Sequence, residues 1–356
     1  MQVAVVGLGA VGSAALRFLA RQGCTAVGYE QFTQGHTRGS SHGESRIYRL
    51  TYADPYYTRL MRRAFELWQE LQAEAGESLI VSCGVLWLGA ENDPELNAIA
   101  YALRTEQVEY QWLTPAEATA RFPALRVEPS ERALFQPEGG FLRASACVAA
   151  NLRLAQAHGA TIREHTRVAR IEPRQNHIVI ETEDGVRETY DRVVLTAGAW
   201  LPKLLPQQRL PLTVTRQTYA YFALQDDAQA HYEPQHLPVW IEATRHFYGF
   251  PHDGRQAGVK VAWHRRGEPQ DPDAPTPPVH EADLAPLRAC IARRLNGVTE
   301  TVLASATCLY TNAPEEKFIL QALPNEPRVW LVSACSGHGF KFSIWNGYLA
   351  AQGVTA

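Results

Sequence analysis

An α/β architecture, with a βαβ unit on a parallel sheet at the N-terminus and a second domain in the middle of the chain, follows from three observations. A continuous apolar run at Gln2–Gly7 gives way across closely spaced glycines to a helical pattern; composition changes near Leu210; and a buried-strand pattern returns at Val329–Ala334. At 356 residues the chain is long for one compact core, which suggests two or three domains. With 46% hydrophobic and 20% charged residues it has the composition of a folded protein rather than a disordered one.

The elements follow in order. Gln2–Gly7 reads as a strand buried on both faces, Ser13–Gln22 as a helix stopped by Gly23, and Cys24–Glu30 as the next strand. A right-handed crossover makes these strands parallel. Leu60, Ala64, Leu67, Trp68 and Leu71 recur at helical spacing and predict an amphipathic helix from about Tyr57. A further helix, Ser145–His158, precedes short strands at Thr161–Glu164, Val168–Glu172 and His177–Thr182. Asp184-Gly185 then predicts a hairpin turn into Val186–Tyr190. Arg192–Thr196 is a second buried strand, followed by the small-residue turn Ala197-Gly198-Ala199. From Leu210 to Val302 the chain is rich in Tyr, Trp and His, and it holds a proline cluster and a helix near Glu281–Asn296. There is no internal repeat.

A net charge of −3 supplies no drive toward nucleic acid or anionic membrane, so small molecules are the expected partners. The six cysteines are scattered, without CxxC spacing, which argues against structural zinc and for reduced thiols. No run of about 18 apolar residues appears, and the expectation is a cytoplasmic protein with no metal.

Gly7-Leu8-Gly9-Ala10-Val11-Gly12 has the GxGxxG spacing in the context that gives it meaning, after a strand and at the opening of a helix. Gly7 permits the tight turn, Gly9 lets a pyrophosphate approach the backbone, and Gly12 lets helix and strand pack closely. Glu30, at the end of the second strand, is placed to accept hydrogen bonds from an adenosine ribose. The fingerprint does not separate NAD from FAD, because both present ADP to the same turn. The loop from His36 to Arg49 follows, with three arginines and two histidines. As a solvated loop it needs no function; as a site it suits the electron-rich end of a flavin and a substrate carboxylate, which guanidinium matches in two-pronged geometry.

Four stretches in this order, Ser41-His42-Gly43-Glu44-Ser45-Arg46-Ile47-Tyr48-Arg49, Tyr248-Gly249-Phe250-Pro251 with Lys260 and His264, Cys308-Leu309-Tyr310-Thr311, and Ser336-Gly337-His338-Gly339-Phe340-Lys341-Phe342, resemble the monomeric sarcosine oxidase and N-methyltryptophan oxidase family of FAD-dependent amine oxidases. The resemblance spans nearly the whole chain. It implies an FAD-binding Rossmann-like, glutathione-reductase-like domain from residues 1–80, 142–209 and 303–356. A substrate domain containing an antiparallel sheet would take residues 81–141 and 210–302. It implies FAD, held covalently through Cys308 rather than Cys335, with contacts from Gly7, Gly9, Gly12, Glu30, His42, Ser45 and Arg46. Val168, Gly198, Trp200, Gly337, Gly339 and Lys341 would contribute further cofactor contacts.

Arg49 and Lys341 match the pair that holds the substrate carboxylate, Arg46 matches the arginine against the flavin face, and Lys260 matches the lysine used for oxygen activation. A cation there stabilises superoxide. Tyr248, His264 and Tyr310 match residues of the substrate pocket. One departure is that Tyr248 to Lys260 is one residue longer than the family pattern. The implied activity is oxidation of an N-methyl amino acid by O2, by a monomer. Rival readings are an oxidase of a cyclic imino acid such as pipecolate or proline, a flavin or NAD dehydrogenase passing electrons to a carrier, and a flavin-binding redox sensor.

Overall fold

The computed structural model describes residues 1–264 and 267–356. Gln2–Val6 lies inside a six-stranded sheet in the order Ile319–Leu323, Glu326–Ser333, Arg192–Leu195, Gln2–Val6, Thr25–Tyr29, Thr161–Arg163. All neighbours pair in parallel except the edge strand Ile319–Leu323, which is antiparallel. Val3, Ala4 and Val5 are fully buried, which is why this strand reads as an unbroken apolar run. The expected return of the C-terminal region is met: Val329–Leu331 pair with Val193–Leu195.

The first helix runs Ala10–Arg21 and so begins three residues before the expected Ser13. Its first turn is built from the glycine motif itself, whose small residues carry no apolar periodicity to announce a helix. Gly23, at φ +82°, ends it, with the Cys24 N–H donating back to the Leu19 carbonyl. This helix packs against the last helix, Ser343–Thr355, where a Cβ on Gly347 would lie 2.7 Å from the Ala14 methyl. The helix predicted from Tyr57 spans Pro55–Ala75; Asp54 caps it by accepting from the Tyr56 N–H, and Gly76 at φ +67° closes it. Its buried stripe is Met61, Ala64, Trp68 and Leu71, while Leu60 and Leu67 flank it half-buried. The hairpin at Asp184-Gly185 forms as expected, joining Ile178–Thr182 to Arg187–Tyr190.

The middle of the chain builds a nine-stranded sheet. Its long pair is Thr213–Leu224 against Val298–Asn312, antiparallel, with Gln217 opposite Cys308. Beyond it run Val259–Trp263, Phe247–Gly249, Val239–Glu242 and Val85–Ala90, the last two parallel to each other. Helix Glu281–Arg294 is fastened to this sheet by Arg294, 1% exposed, which donates to the carboxylates of both Glu242 and Glu131. A three-stranded sheet pairs Arg46–Tyr48 and Ile80–Ser82 with Gly140–Leu142 and anchors the arginine loop. Among the described residues all six cysteines are free, no group of side chains could hold a metal ion, and no helix is long and apolar enough to cross a membrane.

Candidate active site

The ends of the parallel strands and the face of the nine-stranded sheet enclose one cavity of about 2280 Å³. That is more than twice the upper end of about 1,000 Å³ usual for drug-sized ligands, and leaves room for a dinucleotide and a small molecule together. Every residue given a cofactor or substrate role from the sequence lines this cavity except Gly12, which lies behind the turn; Arg38, the remaining arginine of the loop, does not line it. At Gly12 a Cβ would meet the Gly7 carbonyl oxygen at 1.9 Å, so its role is the close helix-to-strand packing expected of the third glycine.

Backbone geometry builds the outer end. Gly7 takes φ +90° with its Cα side pressed on Thr196 and Ala197, so a side chain has no room there. A Cβ on Gly9 would stand 2.8 Å from the Ser41 hydroxyl, and that hydroxyl accepts from the Ala10 N–H at 2.9 Å. Glu30, 6% exposed, accepts from the Leu8 and Phe32 N–H groups at 3.0 and 3.1 Å and lies 3.5 Å from His36. Val168 and Trp200 are buried against this end, and Gly198 adopts φ +52°. The helix begins at Gly9 with no side-chain cap, leaving a helix N-terminus facing the cavity, the arrangement that suits a pyrophosphate.

Toward the interior, the arginine loop is clamped onto the Cys308 strand: the Ser40 hydroxyl donates to the Leu309 carbonyl. Arg46 is spent on the loop's own backbone, donating to the carbonyls of Ser40, His42 and Ser45. His42 is buried and its Nε2 has no partner; burial, with Arg46 and Lys260 nearby, pushes it down to about 4, so it is neutral at physiological pH. Lys260, 4% exposed, donates to the Ser45 carbonyl at 3.1 Å and hydroxyl at 3.4 Å and lies 4.4 Å from the Tyr219 ring centroid. Burial first, then Arg46, lowers its pKa well below the ordinary lysine value. The Cys308 thiol is raised by desolvation, with Arg46 and Lys260 working in the opposite direction.

At the other end, the Arg49 guanidinium is sandwiched between the rings of Tyr52 and Trp87, at 4.0 and 5.1 Å, and donates to the Thr51 carbonyl. Lys341 is 6% exposed and its Nζ donates to the His338 carbonyl at 2.9 Å; burial and Arg49 lower its pKa strongly. Two cations share this wall, each paired only with neutral acceptors among the described residues. Gly337, at φ +74°, passes so close to His264 and Tyr310 that a Cβ would touch both at 2.5 Å. Burial drives His264 down to about 4 and Tyr248 up to about 12, and the hydroxyls of Tyr248 and Tyr310 perturb one another.

Sequence reasoning missed several contributors. Ser41 supports the glycine turn, Tyr52 and Trp87 hold Arg49, and Tyr219 and Phe250 face Lys260. His338 was quoted only as part of a motif; its Nε2 donates to the Glu316 carbonyl at 3.0 Å and its ring stacks on Phe318. Ser41, Phe250 and His338 stood inside quoted motifs and Tyr219 in the aromatic-rich stretch, but neither signal says which rings meet which cations, and nothing in the sequence singled out Tyr52 or Trp87.

A glycine turn, a helix N-terminus at the cavity and buried basic side chains with no hydrogen-bonded carboxylate among the described residues are features that suit a dinucleotide cofactor. The chain belongs to the FAD-dependent oxidoreductase family, whose description "FAD dependent oxidoreductase" matches residues 2–353. It is 33% identical to monomeric sarcosine oxidase of Streptomyces avermitilis over 98% of this chain and 92% of that protein. It is 32% identical to N-methyl-L-tryptophan oxidase of Yersinia pestis over 98% and 93%. Among solved structures, the open form of NikD, an unusual amino acid oxidase essential for nikkomycin biosynthesis, superposes with a TM-score of 0.86 at 26% identity, covering 99% of this chain and 93% of that one. Glycine oxidase from Geobacillus kaustophilus shares the fold, with a TM-score of 0.83 at 21% identity over 99% and 94%. The chain is therefore an FAD-dependent oxidoreductase acting on C–N donors, with the mixed α/β fold of FAD-dependent amino acid oxidases.

Proposed function

We propose that the protein oxidises N-alkyl amino acids of the sarcosine or N-methyl-L-tryptophan type, taking up O2 and water and releasing the demethylated amino acid, formaldehyde and H2O2. The observation that carries this reading is the convergence of Arg49 and Lys341 on one wall of the cavity, with no carboxylate hydrogen-bonded to either among the described residues. A guanidinium fork and an ammonium fix a carboxylate at two points and leave the rest of the amino acid oriented. Bound FAD supplies the two-electron acceptor for the carbon next to nitrogen. The rings of Tyr248, Tyr310 and His264 would line the space around the amine and, being neutral, add no charge that would hold it as an ammonium. Lys260 would place a cation where oxygen becomes negative.

In the same reading Cys308, on the strand paired to Thr213–Leu224, would be the residue that holds the flavin as a thioether, with Arg46 and Lys260 nearby to lessen the cost of charge at its sulfur. Gly7, Gly9, Glu30, His42, Ser45, Arg46, Val168, Gly198, Trp200, Gly337 and Gly339 would line the cofactor. Residues 1–80, 142–209 and 303–356 would form the cofactor domain, with 81–141 and 210–302 the substrate domain. The enzyme would work as a cytoplasmic monomer.

A peroxide assay over sarcosine, N-methyl-L-tryptophan, pipecolate, proline and N-methyl amines without a carboxylate tests the proposal. Turnover should require both a secondary amine and a carboxylate. Equal turnover of carboxylate-free amines, or reduction of a dye with no peroxide, would overturn it; a preference for pipecolate or proline would move the substrate to a cyclic imino acid.

A further inference from the structure

The chain has four lysines, and Lys260 sits where an ammonium is costly. Its hydrogen bonds go to neutral oxygens of Ser45, the rings of Tyr219 and Phe250 stand 4.4 and 5.0 Å away, and Arg46 repels it. Negative charge comes from two adjoining segments, and the Phe250 N–H, three residues before Asp253, donates to the Lys260 carbonyl at 3.1 Å. The hairpin joining Phe247–Gly249 to Val259–Trp263 carries Asp253, whose side chain is 9% exposed, and Glu44 immediately precedes Ser45.

Asp253 is poorly neutralised. The Arg143 guanidinium is 3.7 Å from its Oδ2, too far for a hydrogen bond, and among the described residues neither that oxygen nor the Nε and NH1 of Arg143 has a hydrogen-bond partner. The other oxygen, Oδ1, accepts from the Arg255 N–H at 3.0 Å, and the Arg255 side chain reaches Glu44 at 3.9 Å. A buried carboxylate held off its counterion keeps a long-range field in a low-dielectric surrounding.

The Tyr219 ring faces Lys260, and the titratable or charged groups whose fields act on it are Arg46, His42, Cys308, Glu44 and Asp253. His42 is neutral, and Cys308 would be uncharged as a thioether, which leaves two acids. Glu44 is the more exposed and its field the more screened.

We infer that Asp253 is a positioning residue for the oxygen step: its field keeps the Lys260 ammonium protonated, and Arg143 sets how much of that field Lys260 receives. This rests on Lys260 serving oxygen, as proposed above. The sign is definite. An oxygen step that needs the ammonium fades as pH rises through the Lys260 pKa, so removing the Asp253 charge moves that fall to lower pH. Removing the Arg143 charge moves it to higher pH. A merely structural role gives no such opposition.

The test takes the holoenzyme, reduces it anaerobically and follows its reaction with O2 across the neutral to alkaline range. Asp253→Asn should shift the alkaline fall down by roughly one pH unit, Arg143→Gln should shift it up, and Asp253→Glu should restore it, with anaerobic reduction by substrate unchanged in all three. A second readout is independent of turnover: protein labelled with 13Cε-lysine gives four resonances, the one lost in Lys260→Met is assigned, and its titration should move in the same directions. An unmoved titration in Asp253→Asn, or shifts of the same sign in the Asp253 and Arg143 variants, would overturn the inference alone. An oxygen reaction unaffected by Lys260→Met would overturn the reading beneath it and the inference with it.

Discussion

Lys341→Met separates recognition from folding more sharply than any other single change at this site. The side chain is 6% exposed and its Nζ makes one hydrogen bond, to the His338 carbonyl, while the Lys341 carbonyl accepts from the Trp68 indole at 2.7 Å. Methionine fills a similar volume, and the backbone bond to Trp68 survives, so no cavity opens. What is lost, in the proposed function, is one of the two basic groups that would hold the substrate carboxylate. Truncating one partner of a desolvated charge pair costs about 2 to 5 kcal/mol, which is about 30- to 5,000-fold in affinity. The folding effect has the opposite sign. Burial and Arg49 lower the Lys341 pKa, so folding carries a penalty for its charged form. That penalty is present below the ordinary lysine pKa of about 10.4 and disappears as pH approaches it. The Met variant should therefore be at least as thermally stable as the parent at neutral pH, with the difference vanishing in strong alkali, while its affinity for a carboxylate inhibitor collapses. Flavin absorbance changes on titration with a small aliphatic carboxylate, and melting curves at several pH values, measure the two. Unchanged inhibitor affinity, or a variant several kcal/mol less stable, would refute the reasoning.

Cys308→Ser should give protein whose flavin is released by acid precipitation, whereas the parent pellet stays yellow; a flavopeptide containing Cys335 would refute the assignment. Gly337→Ala combines a left-handed backbone with a methyl 2.5 Å from His264 and Tyr310, and strain plus overpacking predict about 2 to 6 kcal/mol of destabilisation, read as a lower urea midpoint. Arg294→Met strips Glu131 of its buried partner, while Glu242 keeps two hydrogen bonds from Arg293, and should cost about 3 to 5 kcal/mol. Burial works against the Glu131 carboxylate, but the Arg294 hydrogen bond and charge hold its pKa below the usual range. The stabilisation is therefore complete above the unfolded carboxylate pKa and lost as pH falls through the folded one, so parent and variant midpoints should converge on acidification.

What could be read from the sequence depends on where each constraint is written. The glycine turn is legible because its constraints are local: Gly7 and Gly12 are forced by backbone atoms within one strand–turn–helix unit and its neighbouring strand. Val3–Val5 announce a strand buried on both faces for the same reason. The start of the first helix was misplaced because Ala10–Gly12 carry no periodic apolar signal. Lys341, Cys308 and Lys260 are mute as isolated residues and acquired candidate roles only through their order along a family pattern. Least legible were the side chains that act through another: Asp253 and Arg143 lie 110 positions apart in sequence, and no spacing rule connects a hairpin carboxylate to the first residue before a helix.

The two buried lysines explain why these distant segments must meet. Lys341 leans on a carbonyl of its own tight turn, with Arg49 brought beside it by the strand Arg46–Tyr48. Lys260 leans on Ser45, at the other end of that same strand, with Asp253 supplied by its own hairpin. One short strand thus carries both a repulsive arginine for each lysine and the backbone that anchors one of them. Neither lysine has a hydrogen-bonded carboxylate among the described residues, so both ends of the cavity hold positive potential that is not neutralised internally. At the Arg49 end, a substrate carboxylate can complete the pair from solution. At the Lys260 end, if the ammonium serves oxygen as proposed, the developing charge is transient, and a permanent anion at hydrogen-bond distance would occupy the place of the oxygen anion. A carboxylate held back in the adjoining hairpin, as Asp253 is, satisfies both demands: it favours the proton on Lys260 and leaves the front of the ammonium free.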